Sequence, residues 1–337
     1  MKKELSKAEE VLHRISTQYR VGLWCKFTKA LKAYELLSPG DKVCVCISGG
    51  KDSMVMALLF KLLSRHSDFP FGVEYLVMNP GYSERNIAAL RHNLELLEIP
   101  ATIVDTDIFA ISNSVSRSPC YLCAKMRRGA LYRIAKDLGC NKIALGHHYD
   151  DVIETTLMNM LNSGSFQTML PKLPSTNYSG MELIRPLYLI KEEDIVNFSK
   201  EQGLSFLQCA CRFTEENAES LPGGKQRRRT KALIRELKEN YNPLVEKNIF
   251  KAGSNVELEK VLGYNVGEET HSFLDEYEDY RDKTFARIDD SGAEDMAIAK
   301  AEKEHLPFKF DLTYKERFLK SNKENATSAG FSDKKGE

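Results

Sequence analysis

The stretch Ser48-Gly49-Gly50-Lys51-Asp52-Ser53 has the residue types of a phosphate-binding loop. It lies between two apolar runs, residues 43–47 and 54–60, which predict a buried strand and a helix. Two adjacent glycines let the backbone turn tightly, and N–H groups at the start of a helix attract anions. Lys51 adds a positive charge, and the two serines add hydroxyl groups. A glycine turn without chemistry is the alternative, but the six residues together favour phosphate binding. We call residues 48–53 the phosphate loop.

The cysteines form a second candidate site. Cys120 and Cys123 make a C-x-x-C pair, and Cys209 and Cys211 follow far downstream. Two cysteines at this spacing can chelate one metal or cluster, and a third from a separate segment suits an iron–sulfur cluster with one iron free of protein. Zinc held by four cysteines is the alternative. The other cysteines have apolar neighbours and are expected in the core; they are Cys25, Cys44, Cys46 and Cys140.

A third candidate site is the stretch Gly146-His147-His148-Tyr149-Asp150-Asp151, which ends a predicted strand and opens a predicted helix. Its carboxylates could orient ATP or Mg²⁺, or one of its groups could act as a base. The alternative is an ordinary helix cap beside a hydrogen-bonded histidine. Its predicted position at the ligand-binding edge of a sheet favours function.

Basic residues cluster in two places. Arg127 and Arg128 follow the first cysteine pair, and a second group lies in a predicted helix. The second group consists of Lys225, Arg227, Arg228, Arg229, Lys231, Arg235 and Lys238. Clustered Arg and Lys side chains could bind an RNA backbone, although a solvated helix face would have the same composition.

The order of predicted elements indicates an α/β fold. Strands alternate with helices between residues 42 and 161, which is typical of a doubly wound parallel sheet. The predicted strands are 43–47, 72–78, 102–104 and 142–146, and the predicted helices outside this region are 8–37, 191–202, 226–239 and 243–252. Ligands of such sheets bind beyond the carboxyl ends of the strands, where the phosphate loop and residues 146–151 both fall.

Composition and charge divide the chain further. We predict an N-terminal helical segment (1–40), a nucleotide-binding domain with the cysteines (41–255) and an acidic extension (256–337) whose last fifteen residues are disordered. Residues 257–337 contain 13 Lys/Arg and 20 Asp/Glu, whereas the rest contains 35 and 28. A basic body suits a polyanionic partner. The sequence predicts neither a signal peptide nor a membrane span, so we expect a cytoplasmic protein.

The phosphate loop resembles the PP-loop of the ATP pyrophosphatases. The ordered set of motifs over about residues 20–255 is similar to the tRNA 2-thiocytidine synthetases, the TtcA and TtcA-like proteins. The matching residues are the phosphate loop, Cys120-x-x-Cys123 with Met126-Arg127-Arg128-Gly129, Lys142–Gly146 with His147-His148-x-Asp150-Asp151, Asn159-Met160, Pro171-Lys172-Leu173, Ile184-Arg185-Pro186-Leu187 and Cys209.

The resemblance implies an ATP-dependent enzyme that adenylates an anticodon-loop cytidine of tRNA and inserts sulfur by way of a 4Fe-4S cluster. The sulfur would come from a cysteine desulfurase or another donor. By position, Ser48, Gly49, Gly50, Lys51, Asp52, Ser53, Gly146 and His147 would bind ATP. Lys51, Arg127, Asp150 and Asp151 would serve catalysis, with Asp150 or Asp151 positioning Mg²⁺. Cys120, Cys123 and either Cys209 or Cys211 would hold the cluster, and Arg128, Arg227, Arg228, Arg229 and Lys231 would bind tRNA.

Several alternatives stay open at the level of sequence. The target could be another tRNA base, giving 2-thiouridine or lysidine, although lysidine synthesis needs no cluster. A nucleotide- and cluster-binding sensor without turnover is the alternative from a different class. The sequence leaves the oligomeric state open, with a homodimer as one candidate.

Overall fold

The strands and helices of the structure, a computed structural model, follow the alternation predicted from the sequence. The structure describes residues 5–113, 119–204, 206–207 and 222–290, without the side chains of 110, 112, 113, 119–121, 222–225 and 285–290. The strands are β1 (Lys42–Ile47), β2 (Gly72–Asn79), β3 (Ala101–Asp105), β4 (Lys142–Ala144), β5 (Lys172–Pro174), β6 (Glu182–Ile184), β7 (Gly263–Val266) and β8 (Glu269–Ser272).

The helices flank these strands. They are α1 (Lys7–Ser16), α2 (Cys25–Ala33), α3 (Lys51–His66), α4 (Glu84–Leu96), α5 (Ile108–Asn113), α6 (Pro119–Asp137), α7 (Tyr149–Ser163), α8 (Glu192–Glu201), α9 (Pro222–Asn240), α10 (Val245–Ala252) and α11 (Tyr277–Asp290). The region predicted as helical over 8–37 is mostly helical, but a π-helical turn, Arg20–Trp24, separates α1 from α2, and α2 ends at Ala33. None of the described helices is long and apolar enough to cross a membrane.

The main sheet has the strand order β3-β2-β1-β4-β6-β5. The pairs from β3 to β6 are parallel, and only β5 runs antiparallel, to β6. This confirms the predicted α/β class with a mostly parallel sheet. Strands β5 and β6 are not among the strands predicted from the sequence. Their three residues each are too short for a periodic pattern.

The position of strand β1 explains why residues 43–47 form a continuous apolar run. Val43, Val45 and Ile47 pack into one core cluster, whereas Cys44 and Cys46 pack into the cluster on the opposite face. A strand buried on both faces needs apolar residues at every position. The expectation that cysteines fill the core is confirmed for Cys44, Cys46 and Cys140, which are buried, whereas Cys25 is only half-buried.

Helix α3 occupies the first of these two core clusters and fixes the phosphate loop at its N-terminus. Ten of its residues are buried, from Ser53 to Leu63, because it lies between the sheet and helices α1 and α8. Residues of α1 and α2 share this cluster, so the N-terminal helical segment packs into the same core.

The chain divides into two compact units, Met1–Val256 and Glu257–Glu337. Within the described part of the second unit, β7 and β8 form an antiparallel hairpin across a turn at Gly267, whose φ is +63°. This hairpin was not predicted, because its strands are short and mostly exposed. The last fifteen residues, which are predicted to be disordered, lie outside the described residues.

The close approach of β4's end to α3 leads to a stability prediction. A Cβ atom on Gly146 would lie 3.2 Å from the Ser53 backbone nitrogen and 3.3 Å from the Asp52 carbonyl carbon. Backbone atoms cannot rotate away, so Gly146→Ala should destabilise the protein by about 1–3 kcal/mol. Urea unfolding measures this change.

Gly129→Ala is the matched control. Gly129 lies in α6, and its Cβ would meet no atom within 4 Å. Alanine is the better helix former, so this variant should be stabilised by up to about 1 kcal/mol. Equal effects of the two substitutions would contradict the packing account.

Candidate functional site

The carboxyl ends of β1 and β4 form the candidate site. The two strands are parallel neighbours, and β1 is also paired with β2, so the strand order reverses between β1 and β4. Crevices at such reversals are the usual ligand sites of doubly wound sheets. A cavity of about 350 Å³ opens there, lined by Ser48, Asp52 and Ser53 from the phosphate loop and by Gly146 and His147 after β4.

The backbone of the phosphate loop has the geometry that an anion site requires. Gly49 has a φ of +83°, which glycine adopts without strain. The Ser53 hydroxyl accepts a hydrogen bond from the Ser48 amide at 3.1 Å and donates one to the Gly50 carbonyl at 2.9 Å. Gly50 precedes α3 as its N-cap and has no side chain to cap the helix, so the first N–H groups of α3 are available to a ligand.

Residues 206–207 lie against this loop. The Leu207 amide donates a hydrogen bond to the Gly49 carbonyl at 3.0 Å. A Cβ atom on Gly49 would lie 2.7 Å from Cδ1 of Leu207, so a larger residue here would displace the Leu207 side chain. Leu207 is the last described residue before Cys209, and the predicted ligands Cys209 and Cys211 lie outside the described residues.

Helix α6 contributes one side of the cavity. Arg127 and Leu131 line it, and both are partly buried. Cys123 precedes Arg127 by four residues, so the three positions share one helical face. The backbone of Cys120 lies in the first turn of α6, but its side chain is outside the described residues.

Three carboxylates surround a buried histidine beside the phosphate loop. The His148 ring is 7% exposed and lies 3.8 Å from Asp52, 3.7 Å from Asp150 and 3.6 Å from Asp151. Asp150 also accepts a hydrogen bond from the Glu192 amide at 2.7 Å, and so caps α8. Asp151 instead lines the cavity and accepts a hydrogen bond from the His148 amide at 3.0 Å.

Two polar side chains at the cavity each have an atom that is free to form a further hydrogen bond. Within the described residues, the buried Oδ1 atom of Asp52 makes no hydrogen bond, and the same is true of Nδ1 of His147. Burial lowers the pKa of His147 to about 4, so this ring is neutral near pH 7 and can accept a hydrogen bond. Both groups are therefore suited to a ligand.

Lys51 lies in a chain of ion pairs next to the cavity. Its ammonium is 3.1 Å from Asp52 and 3.1 Å from Glu192, and Lys231 pairs with the other oxygen of Glu192. Burial alone lowers the pKa of Lys51, but the two carboxylates outweigh burial and raise it. Burial alone would raise the pKa of Glu192, yet the two lysines lower it to about 2.

Besides Lys231, helix α9 carries a second cation, Arg227, that pairs with acids beside the cavity. Arg227, one helical turn before Lys231, contacts Asp151 at 3.4 Å and Glu154 at 3.1 Å. Burial raises the pKa of Glu154. The predicted RNA-binding residues Arg227 and Lys231 are therefore paired with acids of the site. Arg227 is nevertheless exposed to solvent, as are Arg128, Arg228 and Arg229.

Glu246 fixes α10 against these elements. Its carboxylate bridges Lys191, at 2.8 Å, and Lys238 of α9, at 3.0 Å. Its carbonyl accepts a hydrogen bond from the Tyr149 hydroxyl at 3.1 Å, and the Tyr149 ring stacks on Phe250. These contacts hold α9 beside the N-terminus of α7.

The sequence patterns do not identify every residue of the site. The motif that contains His148 assigns this residue no role, and Cys46, which lines the cavity, is predicted only as a core residue. Glu154 and Glu192 were not singled out, because acids near a helix N-terminus are common. No local signal connects Glu192 to Lys51, which lies 141 positions earlier in the sequence.

Comparisons with known proteins agree with this geometry. The family model for the PP-loop domain matches residues 24–211. A tRNA-cytidine(32) 2-sulfurtransferase of Coxiella burnetii is 34% identical over 241 residues, which are 71% of this chain and 91% of that protein. One from Methylobacillus flagellatus is 32% identical over 292 residues, which are 84% of this chain and 91% of that protein.

A solved structure supports the fold. It is the U34-tRNA thiolase NcsA from Methanococcus maripaludis with its [4Fe-4S] cluster, which superimposes with a TM-score of 0.52 at 22% identity and covers 69% of this chain and 78% of that one. The resemblance found in the sequence is confirmed. The chain belongs to the PP-loop domain family and, within it, to the group of the tRNA-cytidine(32) 2-sulfurtransferases.

Proposed function

We propose that this protein is an ATP-dependent tRNA sulfurtransferase that converts cytidine 32 to 2-thiocytidine, the activity named for its relatives. The observation that carries the proposal is the cavity between β1 and β4, which brings the phosphate loop and the cysteine-bearing face of α6 to one place. A thiolase needs a nucleotide site and a sulfur site within reach of one base.

The phosphate loop binds the pyrophosphate part of ATP. The free N–H groups of α3, the hydroxyls of Ser48 and Ser53 and the charge of Lys51 all favour an anion. Neutral His147 is suited to accept a hydrogen bond from the nucleotide. The C2 oxygen of the cytidine attacks the α-phosphate, and pyrophosphate leaves. A sulfur at the oxidation level of sulfide then forms a bond to C2, and the C2–O bond breaks as AMP leaves with that oxygen.

Mg²⁺ fits the carboxylates at the cavity. Among the described residues, no three His, Cys, Asp or Glu side chains form a complete metal site. Magnesium usually needs only one or two carboxylates, since substrate phosphates and water supply the other ligands. Asp52, with its unpartnered oxygen, and Asp151 on the cavity wall would fill that role.

A 4Fe-4S cluster fits the cysteine set. Cys123 lies on the same face of α6 as Arg127 and Leu131, which line the cavity. We assign Cys120, Cys123 and either Cys209 or Cys211 as its ligands, and thiolates are the donors that such clusters take. When bound, a cluster with one iron free of protein supplies a place from which sulfur can be passed on. A cysteine desulfurase or another donor would deliver that sulfur.

The proposed reaction predicts a defined product. Protein with reconstituted cluster, ATP, Mg²⁺, a sulfur donor and a tRNA with cytidine at position 32 should yield 2-thiocytidine in nuclease digests analysed by mass spectrometry. Lys51→Ala should slow AMP formation by roughly a hundredfold, because it removes a charge that stabilises the leaving pyrophosphate. Lys29→Ala, an exposed lysine of α2, is the control. A thiolated uridine, lysidine or unchanged AMP formation would contradict the assignment.

The cysteine assignment predicts the metal content. Protein purified without oxygen should be brown and contain about four irons per chain, as a cubane cluster does. Cys123→Ser should lose most of this iron and its absorbance, whereas Cys25→Ser, at the start of α2, should retain both. A colourless protein with one zinc per chain would contradict the cluster.

The exposed arginines predict the binding of tRNA. Arg229→Ala should weaken tRNA binding and reduce the salt slope of the affinity by about one, the effect of one lost phosphate contact. Arg91→Ala is the charge-matched control, on α4 and outside the basic cluster. Filter binding over a range of salt concentrations measures both. If the two variants showed equal dependence of tRNA affinity on salt concentration, the assignment of Arg229 to the tRNA-binding surface would be wrong.

A further inference from the structure

We propose that Glu192 competes with the phosphates of ATP for Lys51, and that Lys231 moderates this competition by sharing the Glu192 carboxylate. The inference rests on the proposed function, because it concerns ATP at the phosphate loop. It makes Glu192 and Lys231 positioning residues for the predicted catalytic lysine.

Lys51 is fully paired within the protein. Its ammonium contacts two carboxylates at 3.1 Å each, those of Asp52 and Glu192, and among the described residues it is not part of the cavity lining. A polyphosphate that enters the cavity must therefore draw Lys51 away from at least one of these partners. Asp52 lines the cavity and stays beside the ligand, so the partner to be exchanged is Glu192.

Glu192 is fixed from several directions, so it cannot follow Lys51. Its backbone amide donates a hydrogen bond to the Asp150 carboxylate at 2.7 Å. Helix α8 also packs on α3, and its residues Ile195 and Phe198 are buried. Lysine, by contrast, is a point charge on a flexible stem of four carbons. The moving member of the pair is therefore Lys51.

Lys231 continues to neutralise the charge of the Glu192 carboxylate after Lys51 has moved. It pairs with Oε2 of Glu192, whereas Lys51 pairs with Oε1, so loss of Lys51 leaves one ion pair in place. The Glu192 side chain is only 23% exposed, and leaving a mostly buried carboxylate without a partner would be costly. With two cations on one carboxylate, each is also held less tightly than it would be alone.

Pyrophosphate binding to the full-length protein, followed by calorimetry, tests the role of Glu192. Glu192→Gln keeps the shape of the side chain and removes its charge. It should tighten binding of inorganic pyrophosphate about two- to fivefold, the scale of ion pairs that keep contact with water. Glu193→Gln removes the same charge from the same helical turn, where the side chain is exposed, and should leave the affinity near that of the wild type.

A double-mutant cycle tests the role of Lys231. Lys231→Met should weaken pyrophosphate binding, because Glu192 is then left to Lys51 alone. In the Glu192→Gln background the same substitution should have no effect. A direct contact between Lys231 and phosphate would instead weaken binding in both backgrounds and would contradict the proposed sharing.

The outcomes separate this inference from the proposed function. If the wild-type protein binds neither pyrophosphate nor ATP, the proposed function itself fails. If the wild type binds and Glu192→Gln binds equally or less tightly, with unchanged thermal unfolding, the proposed function stands and the competition by Glu192 is wrong. If Glu193→Gln tightened pyrophosphate binding to the same degree, the change in net charge alone would explain the effect of Glu192→Gln. That result would also contradict the competition by Glu192.

Discussion

The site depends on the parallel pairing of β1 with β4, which are adjacent in space but nearly a hundred residues apart in sequence. This pairing brings Gly146 against the first turn of α3, where any larger residue would contact backbone. The phosphate loop and the segment after β4 therefore form two walls of one cavity. The burial of β1 on both faces and of α3 along most of its length holds this arrangement rigid.

Around that cavity, charges are balanced within the protein. Lys51, Arg227 and Lys231 are each paired with carboxylates from other elements or neighbouring positions. Since these pairs come from α3, α7, α8 and α9, they join the helices around the site as well as neutralise it. An incoming polyphosphate would exchange partners instead of meeting free cations. This arrangement limits repulsion among clustered cations in the absence of ligand and leaves mobile lysines available to a stronger anion.

The sequence predicted those parts of the site that depend on local patterns. The apolar run of β1 followed by two glycines and an apolar helix located the phosphate loop, and the strand–helix alternation predicted the sheet and its ligand edge. Ion pairs between residues far apart in the sequence could not be predicted from local patterns. The sequence predicted that Arg227 and Lys231 lie in one helix, but no local pattern indicated that this helix contacts Asp151, Glu154 and Glu192. Strands of three residues, such as β5 and β6, and the exposed hairpin of β7 and β8 also left no usable period.

In the proposed reaction, the C2 oxygen of a tRNA cytidine is activated in the cavity by transfer of AMP. A tRNA carrying ¹⁸O at C2 of cytidine 32 tests it most directly, because the carbon–oxygen bond breaks when sulfur displaces AMP. If AMP is transferred to the C2 oxygen, the phosphate of each AMP formed during thiolation should contain one ¹⁸O atom, which mass spectrometry detects. Thiolated tRNA accompanied by unlabelled AMP would contradict it.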